Sequence, residues 1–158
     1  MSKGIVFEWE GFSKKVPALL LEDIEPEVCR EVWEALATPW KMWPWHTTST
    51  GDFYSAQARP PRHPVPLGSQ ATPRMGKTGR PLFLCDLEPG SLCYPGGLQF
   101  SFAYGADNTE PLPAKGPVFA RVPEAHLAAF YEAGRHVWNA QYRTHKLIII
   151  TATREENL

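Results

Sequence analysis

The chain has no excess of basic residues: 16 Lys and Arg stand against 17 Asp and Glu in 158 residues, a formal net charge of -1. With so little to displace counterions from a phosphate backbone, nucleic acid is not an expected partner. Long apolar runs are also missing. No stretch approaches the roughly 20 residues that cross a bilayer, so no membrane partner is expected. The opening residues Met1 to Glu10 lack the apolar run and small-residue cleavage site of a secretory leader, which points to a cytoplasmic location. Cysteine is scarce and odd in number. Cys29, Cys85 and Cys93 form no CxxC pair, which suits buried reduced thiols better than a disulfide framework. The five histidines are dispersed, and His126 and His136 are not i, i+4 partners, so no zinc triad can be assembled and no metal or cofactor is expected. Ala71 to Thr78 fits a relaxed phosphate-loop pattern. Prolines precede it and Gly79-Arg-Pro81 bars the helix that should follow, so nucleotide hydrolysis is set aside.

What is present belongs to a globular domain. Hydrophobic residues make up 43% and charged residues 21%, and 158 residues suffice for one domain, 1–158, with a core that needs no staples. Sixteen prolines and six tryptophans are unusual, and Trp40, Trp43 and Trp45 fall within six positions.

Ile5, Phe7 and Trp9 alternate with other residues as in a half-buried strand, and Val16 to Leu21 supplies a partner run. Acidic residues around Pro26 mark a helix start, and Val28, Cys29, Val32, Trp33 and Leu36 give it one apolar face up to Pro39. Pro39 to Pro44 reads as a loop, and Phe53 to Ala58 as a strand. Residues 59–81, with six prolines, read as an irregular loop of a length that is uncommon in compact domains and often functional. Short strands are expected at Pro81 to Cys85, Ser91 to Tyr94, Leu98 to Tyr104, Val118 to Val122 and Lys146 to Ala152. Pro123-Glu124 opens a second helix with Leu127, Phe130, Tyr131, Gly134, Val137 and Trp138 on one face. About eight short strands and two one-faced helices predict a mainly β fold: a single closed eight-stranded barrel capped by two α-helices.

This order resembles the cyclophilin fold. Leu19 to Cys29 is similar to the cyclophilin passage from second strand to first helix, and Glu88-Pro-Gly-Ser-Leu-Cys-Tyr94 to the turn before a central strand. Gly96-Gly-Leu-Gln-Phe-Ser-Phe102 resembles the Gly-Ser-Gln-Phe-Phe-Ile strand, and Pro117 to Glu124 the Val-Phe-Gly-Lys-Val strand before the second helix. The prolyl-isomerase motif Phe-His-Arg is answered by Trp45-His46-Thr47. The arginine that polarises the twisting amide is therefore absent, and with it the main electrostatic contribution to that activity. The Trp-rich segment, the Tyr104-Gly105 ending and Val118 to Val122 are more similar to the bacterial cyclophilin-like proteins that include cucumopine synthase. That enzyme condenses histidine with 2-oxoglutarate through an imine that the imidazole ring closes upon.

His46 stands between the tryptophans and the run Thr47 to Thr50. It is either a proton shuttle near neutral pH or a hydrogen-bonded structural residue at a strand start. Trp45 could stack on a planar ligand. The resemblance places Phe53, Tyr54, Tyr94, Gln99 and Tyr104 on the segments that form the cyclophilin binding face. Tyr54 and Tyr104 could supply a proton or hold a carboxylate, and the Gln99 amide could both donate and accept. Packing in the barrel is the plainer role for each of these. Along their strand, Gln99 and Ser101 share one face, while Leu98, Phe100 and Phe102 share the core face. Arg59, Arg62, His63, Arg74, Lys77 and Arg80 make the long loop basic, and Asp and Glu are missing from 53 to 85. Arg62 and Arg74 could pair with a substrate carboxylate, or the loop could be an ordinary solvated one.

The leading expectation is an enzyme working by acid–base catalysis on a carboxylate-bearing small molecule, nitrogen heterocycles being one class of it. His46, Tyr104 and Tyr54 are its proton-transfer candidates, and Trp45, Arg62, Arg74, Tyr94 and Gln99 its binding candidates. A non-catalytic ligand-binding or regulatory module and a residual prolyl isomerase are the alternatives. The sequence leaves room for a homo-oligomer. The expected centre is where His46, Tyr54 and Gln99 converge beneath the basic loop.

Overall fold

A computed structural model describes residues 2–58, 82–114 and 116–158. Eight strands close into an antiparallel barrel: β1 (Lys3–Trp9), β2 (Lys15–Leu20), β3 (Trp40–His46), β4 (Gly51–Ala58), β5 (Ser91–Gly96), β6 (Gln99–Asn108), β7 (Val118–Arg121) and β8 (Ile150–Glu156). Around the barrel they run β1-β2-β7-β5-β6-β4-β3-β8. Two helices, α1 (Pro26–Ala35) and α2 (Leu127–Tyr142), complete the mainly β fold.

The strand count is as expected, but its membership differs at one place. The described part of the strand expected at 81–85, residues 82–85, is not a strand: Phe83 makes one bridge to Pro113, and Leu84–Asp86 form a 3₁₀ turn. The missing strand is β3, in the proline-broken tryptophan segment expected to be a loop. Trp40, Met42 and His46 are its buried residues, spaced for one face of a strand. Pro44 is tolerated for a specific reason. β3 pairs with β8 only over Trp40 to Met42, whereas its pairing with β4 continues to His46. His46 directs its N–H and C=O away from β4, toward α2. Pro44 has the same parity, so its missing N–H faces the side that β8 has already left. The last strand likewise starts at Ile150 rather than Lys146.

The barrel interior is filled by inward residues of all strands, among them Phe7, Trp9, Met42, Tyr54, Phe100, Phe102 and Phe119. On β6 the predicted alternation holds, with Phe100, Phe102 and Tyr104 inward and Ser101 and Ala103 outward. The outward side is not bare. Phe53, Cys93, Ala103 and Val118 carry a second apolar cluster with Leu84, Leu87 and Ala114. Cys29 and Cys93 are buried free thiols as expected, but Cys85 is exposed.

The helices close opposite ends. At one end α1 buries Val28, Cys29 and Val32, with Trp40 stacked on Phe100 at 5.0 Å. At the other, α2 lays Phe130 near Trp9 and Phe102. The α2 apolar face consists of Phe130, Ala133, Gly134, Val137 and Ala140; Tyr131, predicted for that face, is exposed. Among the described residues no helix is long and apolar enough to cross a membrane.

Candidate functional site

Three of the singled-out residues meet at the α2 end. His46 is the last residue of β3 and lies opposite Tyr54 on β4, and Tyr104 enters from β6. The β4–β6 register brings Tyr104 there. Phe53 pairs with Ala103, so an unbroken ladder would set Gly51 opposite Gly105, yet Gly51 pairs with Asn108. The surplus on β6 bulges beside Tyr104, a device that re-aims side chains at a strand end. Gly51 permits it: φ is +108°, and a Cβ there would lie 1.6 Å from the Asp107 carbonyl oxygen.

The His46 imidazole is held at both nitrogens. Nδ1 lies 2.6 Å from the Thr47 carbonyl oxygen, which can only accept, so Nδ1 carries the proton. Nε2, 2.7 Å from Tyr104 Oη, is then the acceptor of the phenol proton. Trp138 of α2 stands edge-on to the ring at 4.9 Å. Burial pulls the His46 pKa below its ordinary 6.5; the Thr47 carbonyl opposes this, the Arg135 charge adds to it, and Asp52 opposes it. The ring is therefore a neutral base at pH 7. Burial pushes the Tyr104 phenol up to about 12, although Arg135 beside its hydroxyl pulls the other way. The pair is consequently one neutral imidazole accepting from one intact phenol.

The backbone of His46 is fixed from α2. Its N–H donates to Gln141 Oε1 at 2.6 Å, and its C=O accepts from Gln141 Nε2 at 3.3 Å and from Tyr142 Oη at 2.8 Å. One side-chain amide thus serves both backbone groups that β8 would otherwise pair. Gly134 lets the helix come this close, since a Cβ would sit 2.2 Å from the Tyr104 ring.

Tyr54 has a different role. It is fully buried, stacks on Phe102 at 4.6 Å, and accepts from Trp9 Nε1 at 3.0 Å. Burial drives its pKa well above 10, so it keeps its proton as part of the core.

Two expected neighbours are elsewhere, which corrects the predicted convergence. Gln99 is at the far end of β6, five residues from Tyr104 and hence about 17 Å along the strand. Tyr94 lies with Phe100 and Phe119 toward α1, its hydroxyl 3.5 Å from Glu31. Five positions along β6 carry Gln99 to the other barrel end, and resemblance of segments does not register that. Trp45 also points away. It packs on Trp43 at 5.0 Å and lines a groove of about 340 Å³ on the outer side of β3 with Val137 and Leu147. Arg62 and Arg74 lie outside the described residues.

A groove of about 430 Å³ runs beside His46, while Tyr104 stays behind it in the barrel interior and does not line it. His46, Thr50 and Tyr142 border it, Phe53 and Leu84 belong to its apolar part, and Glu110 is its acid. The Glu110 carboxylate accepts from Ser49 Oγ and from Thr50 Oγ1, the latter at 2.9 Å, and these two bonds lower its pKa from the ordinary value. Glu110 was not singled out from sequence. The hydroxyl run Thr47 to Thr50 was a signal, but its acid lies 60 residues away from Thr50. Among the described residues no group of three or more His, Cys, Asp or Glu could hold a metal ion.

No protein-family model matches the chain, and no curated protein does. Among solved structures, that of McbB in complex with tryptophan is similar, with a TM-score of 0.75 at 24% sequence identity over 98% of this chain. The match covers 45% of the McbB chain, so this sequence spans less than half the length of that neighbour. At that identity the likeness speaks for architecture: the chain has a cyclophilin-like β-barrel fold.

Proposed function

We propose that the protein is a small-molecule enzyme of the acid–base type, with its reaction centre in the groove that His46 borders. One observation carries this reading: His46, which borders a cavity of ligand size, has a neutral imidazole oriented at Nδ1 that accepts a phenol proton at 2.7 Å from Tyr104 behind it. Support also comes from the similar barrel of McbB, solved in complex with tryptophan, an amino acid with a heterocyclic side chain. The substrate class is a carboxylate-bearing molecule, and Arg62 and Arg74 are the proposed partners of that carboxylate.

The reaction class is condensation of an amine with a 2-oxo acid, as the resemblance to cucumopine synthase suggests. The amine nitrogen adds to the carbonyl carbon and water leaves, giving an imine. A nucleophilic ring atom then attacks the imine carbon, and its proton passes to a base while the imine nitrogen gains one. Tyr104 would donate and His46 would accept, and the proton shared between them resets the pair.

The test is incubation with histidine or tryptophan and 2-oxoglutarate, followed by mass spectrometry for a product equal to both reactants less one water. Turnover should fall about 100-fold in Tyr104→Phe and in His46→Gln. The wild-type rate should rise with pH through the lowered His46 pKa and level off above it. Turnover unchanged in both variants would overturn the assignment. A second reading, a ligand-binding module without chemistry, rests on the exposure of His46 (3%) and Tyr104 (1%), which are satisfied by each other. Ligand-induced thermal stabilisation without any product would favour it.

A further inference from the structure

The groove that His46 borders carries a charge of its own, separate from the basic loop 59–81, which lies outside the described residues. Of the described residues that line it, Glu110 alone is charged, apart from the neutral His46. Its carboxylate is set in place before any ligand arrives. Thr50, a buried residue on the β3–β4 turn, donates one hydroxyl bond, and Ser49 donates another. Two bonds from one turn fix the carboxylate plane, yet two carboxylate oxygens offer about four lone-pair sites, so acceptor capacity remains. Thr47 and Thr48 complete the hydroxyl-bearing edge, and the opposite lining is apolar or aromatic, with Phe53 and Leu84 from the outer cluster together with Leu112, Pro113 and Tyr142. An oriented anion beside an apolar wall matches a cation on an apolar body, and such a cation gains a charge-assisted bond that a neutral or anionic ligand cannot make.

We infer that Glu110 is the anchor for a protonated primary amine whose apolar or aromatic remainder lies along Phe53 and Leu84. This deepens the enzymatic reading by naming the substrate group the groove selects. It rests on that reading only for the claim that the bound amine goes on to react. The amine would dock at the Glu110 end, with its body between the acid and the His46 border. Ser49 and Thr50 are positioning residues that act through the Glu110 carboxylate.

Isothermal titration calorimetry with tryptamine, tryptophan and indole-3-propionate on the full chain tests the inference without needing turnover. Tryptamine and tryptophan should bind, and indole-3-propionate should bind at least about tenfold more weakly than tryptamine. Glu110→Gln should cost tryptamine about tenfold or more and leave indole-3-propionate unaffected. Because Glu110 sits on the surface, the variant should keep the wild-type melting curve. The double variant Ser49→Ala, Thr50→Val, with the acid retained but unheld, should fall between the two in tryptamine affinity. Equal binding of tryptamine and indole-3-propionate would overturn the inference. So would unchanged tryptamine affinity in Glu110→Gln, or no heat from any of the three probes. If amine selectivity appears but no condensation product forms, the catalytic reading fails and the amine site stands.

Discussion

The two ends of the barrel are each closed by a helix, and they are built on opposite principles. At the α1 end the contact is mostly apolar: Val28, Val32 and Leu36 pack in the core with Trp40 and Phe100, the Cys29 thiol donates to the Phe119 carbonyl, and the Tyr94 hydroxyl lies 3.5 Å from Glu31. At the α2 end the helix brings Gln141, Tyr142 and Trp138 onto His46, and the barrel answers with Tyr104 and Tyr54. An apolar plug is satisfied by any well-packed shape. A polar one must pair every group it buries, so it fixes orientations that packing alone would leave free. The second end therefore has the organised proton donor and acceptor, and the groove lies beside it.

The contrast can be broken in four ways, the largest effect first. Leu36→Ala at the apolar end should cost about 3 kcal/mol of unfolding free energy, since Leu36 is 1% exposed. Urea unfolding should give the same loss at pH 5 and pH 8. Gly134→Ala at the polar end should destabilise by about 2 kcal/mol, although alanine is the better helix former by about 1 kcal/mol. The added Cβ has nowhere to go but into the Tyr104 ring. A stabilised Gly134→Ala protein would show that α2 does not press on the mouth as described.

The third effect is one of pH. The folded His46 pKa lies below 6.5, so the unfolded chain takes up a proton first as pH falls. The stability this neutral ring contributes is complete above about pH 6.5 and is lost as pH drops from there toward the folded value. His46→Gln should lack that part of the acid limb, whereas Leu36→Ala should keep it. Urea midpoints at closely spaced pH values would decide the matter, and parallel curves for wild type and His46→Gln would refute it. The smallest effect lies on the outer wall, where the Ser55 and Ser101 hydroxyls bond each other at 2.9 Å. Either serine to alanine should cost about 1 kcal/mol, and the double variant close to nothing, because no buried hydroxyl is then left alone. Additive losses would show that each serine has another partner.

Much of the fold was legible because it follows from local pattern. The alternation of Ile5, Phe7 and Trp9 and of Phe100, Phe102 and Tyr104, together with the acidic start at Pro26, gave strands and a helix close to those observed. The segment around Pro44 was misread because proline forbids a ladder bond, and only the early departure of β8 shows that none was needed. Residues 82–85 depart from pattern in the opposite sense. Leu82 to Cys85 are apolar enough for a strand, but Leu84 instead covers the outer wall from a 3₁₀ turn.

The candidate site divides in the same way. His46 and Tyr104 could be chosen from sequence, as chemistry-bearing residues at strand ends. Gln99 and Tyr94 were grouped with them because their segments resemble one face, although their positions along β5 and β6 put them at the other end. Gln141 and Glu110 could not be found by pattern at all, since their partners are 95 and 60 residues away.

The sequence by itself determined seven of the eight strands, the two helices and the inward face of β6. Those depend on periodicity and residue type, which are properties of neighbours in the chain. Only the tertiary structure decided that Trp40–His46 closes the barrel and that a glutamine amide stands in for β8. It alone decided, too, that a carboxylate, Glu110, lines the described part of the groove together with His46. Those outcomes are set by strand register and by where α2 docks, and both come from long-range pairing that no local pattern encodes.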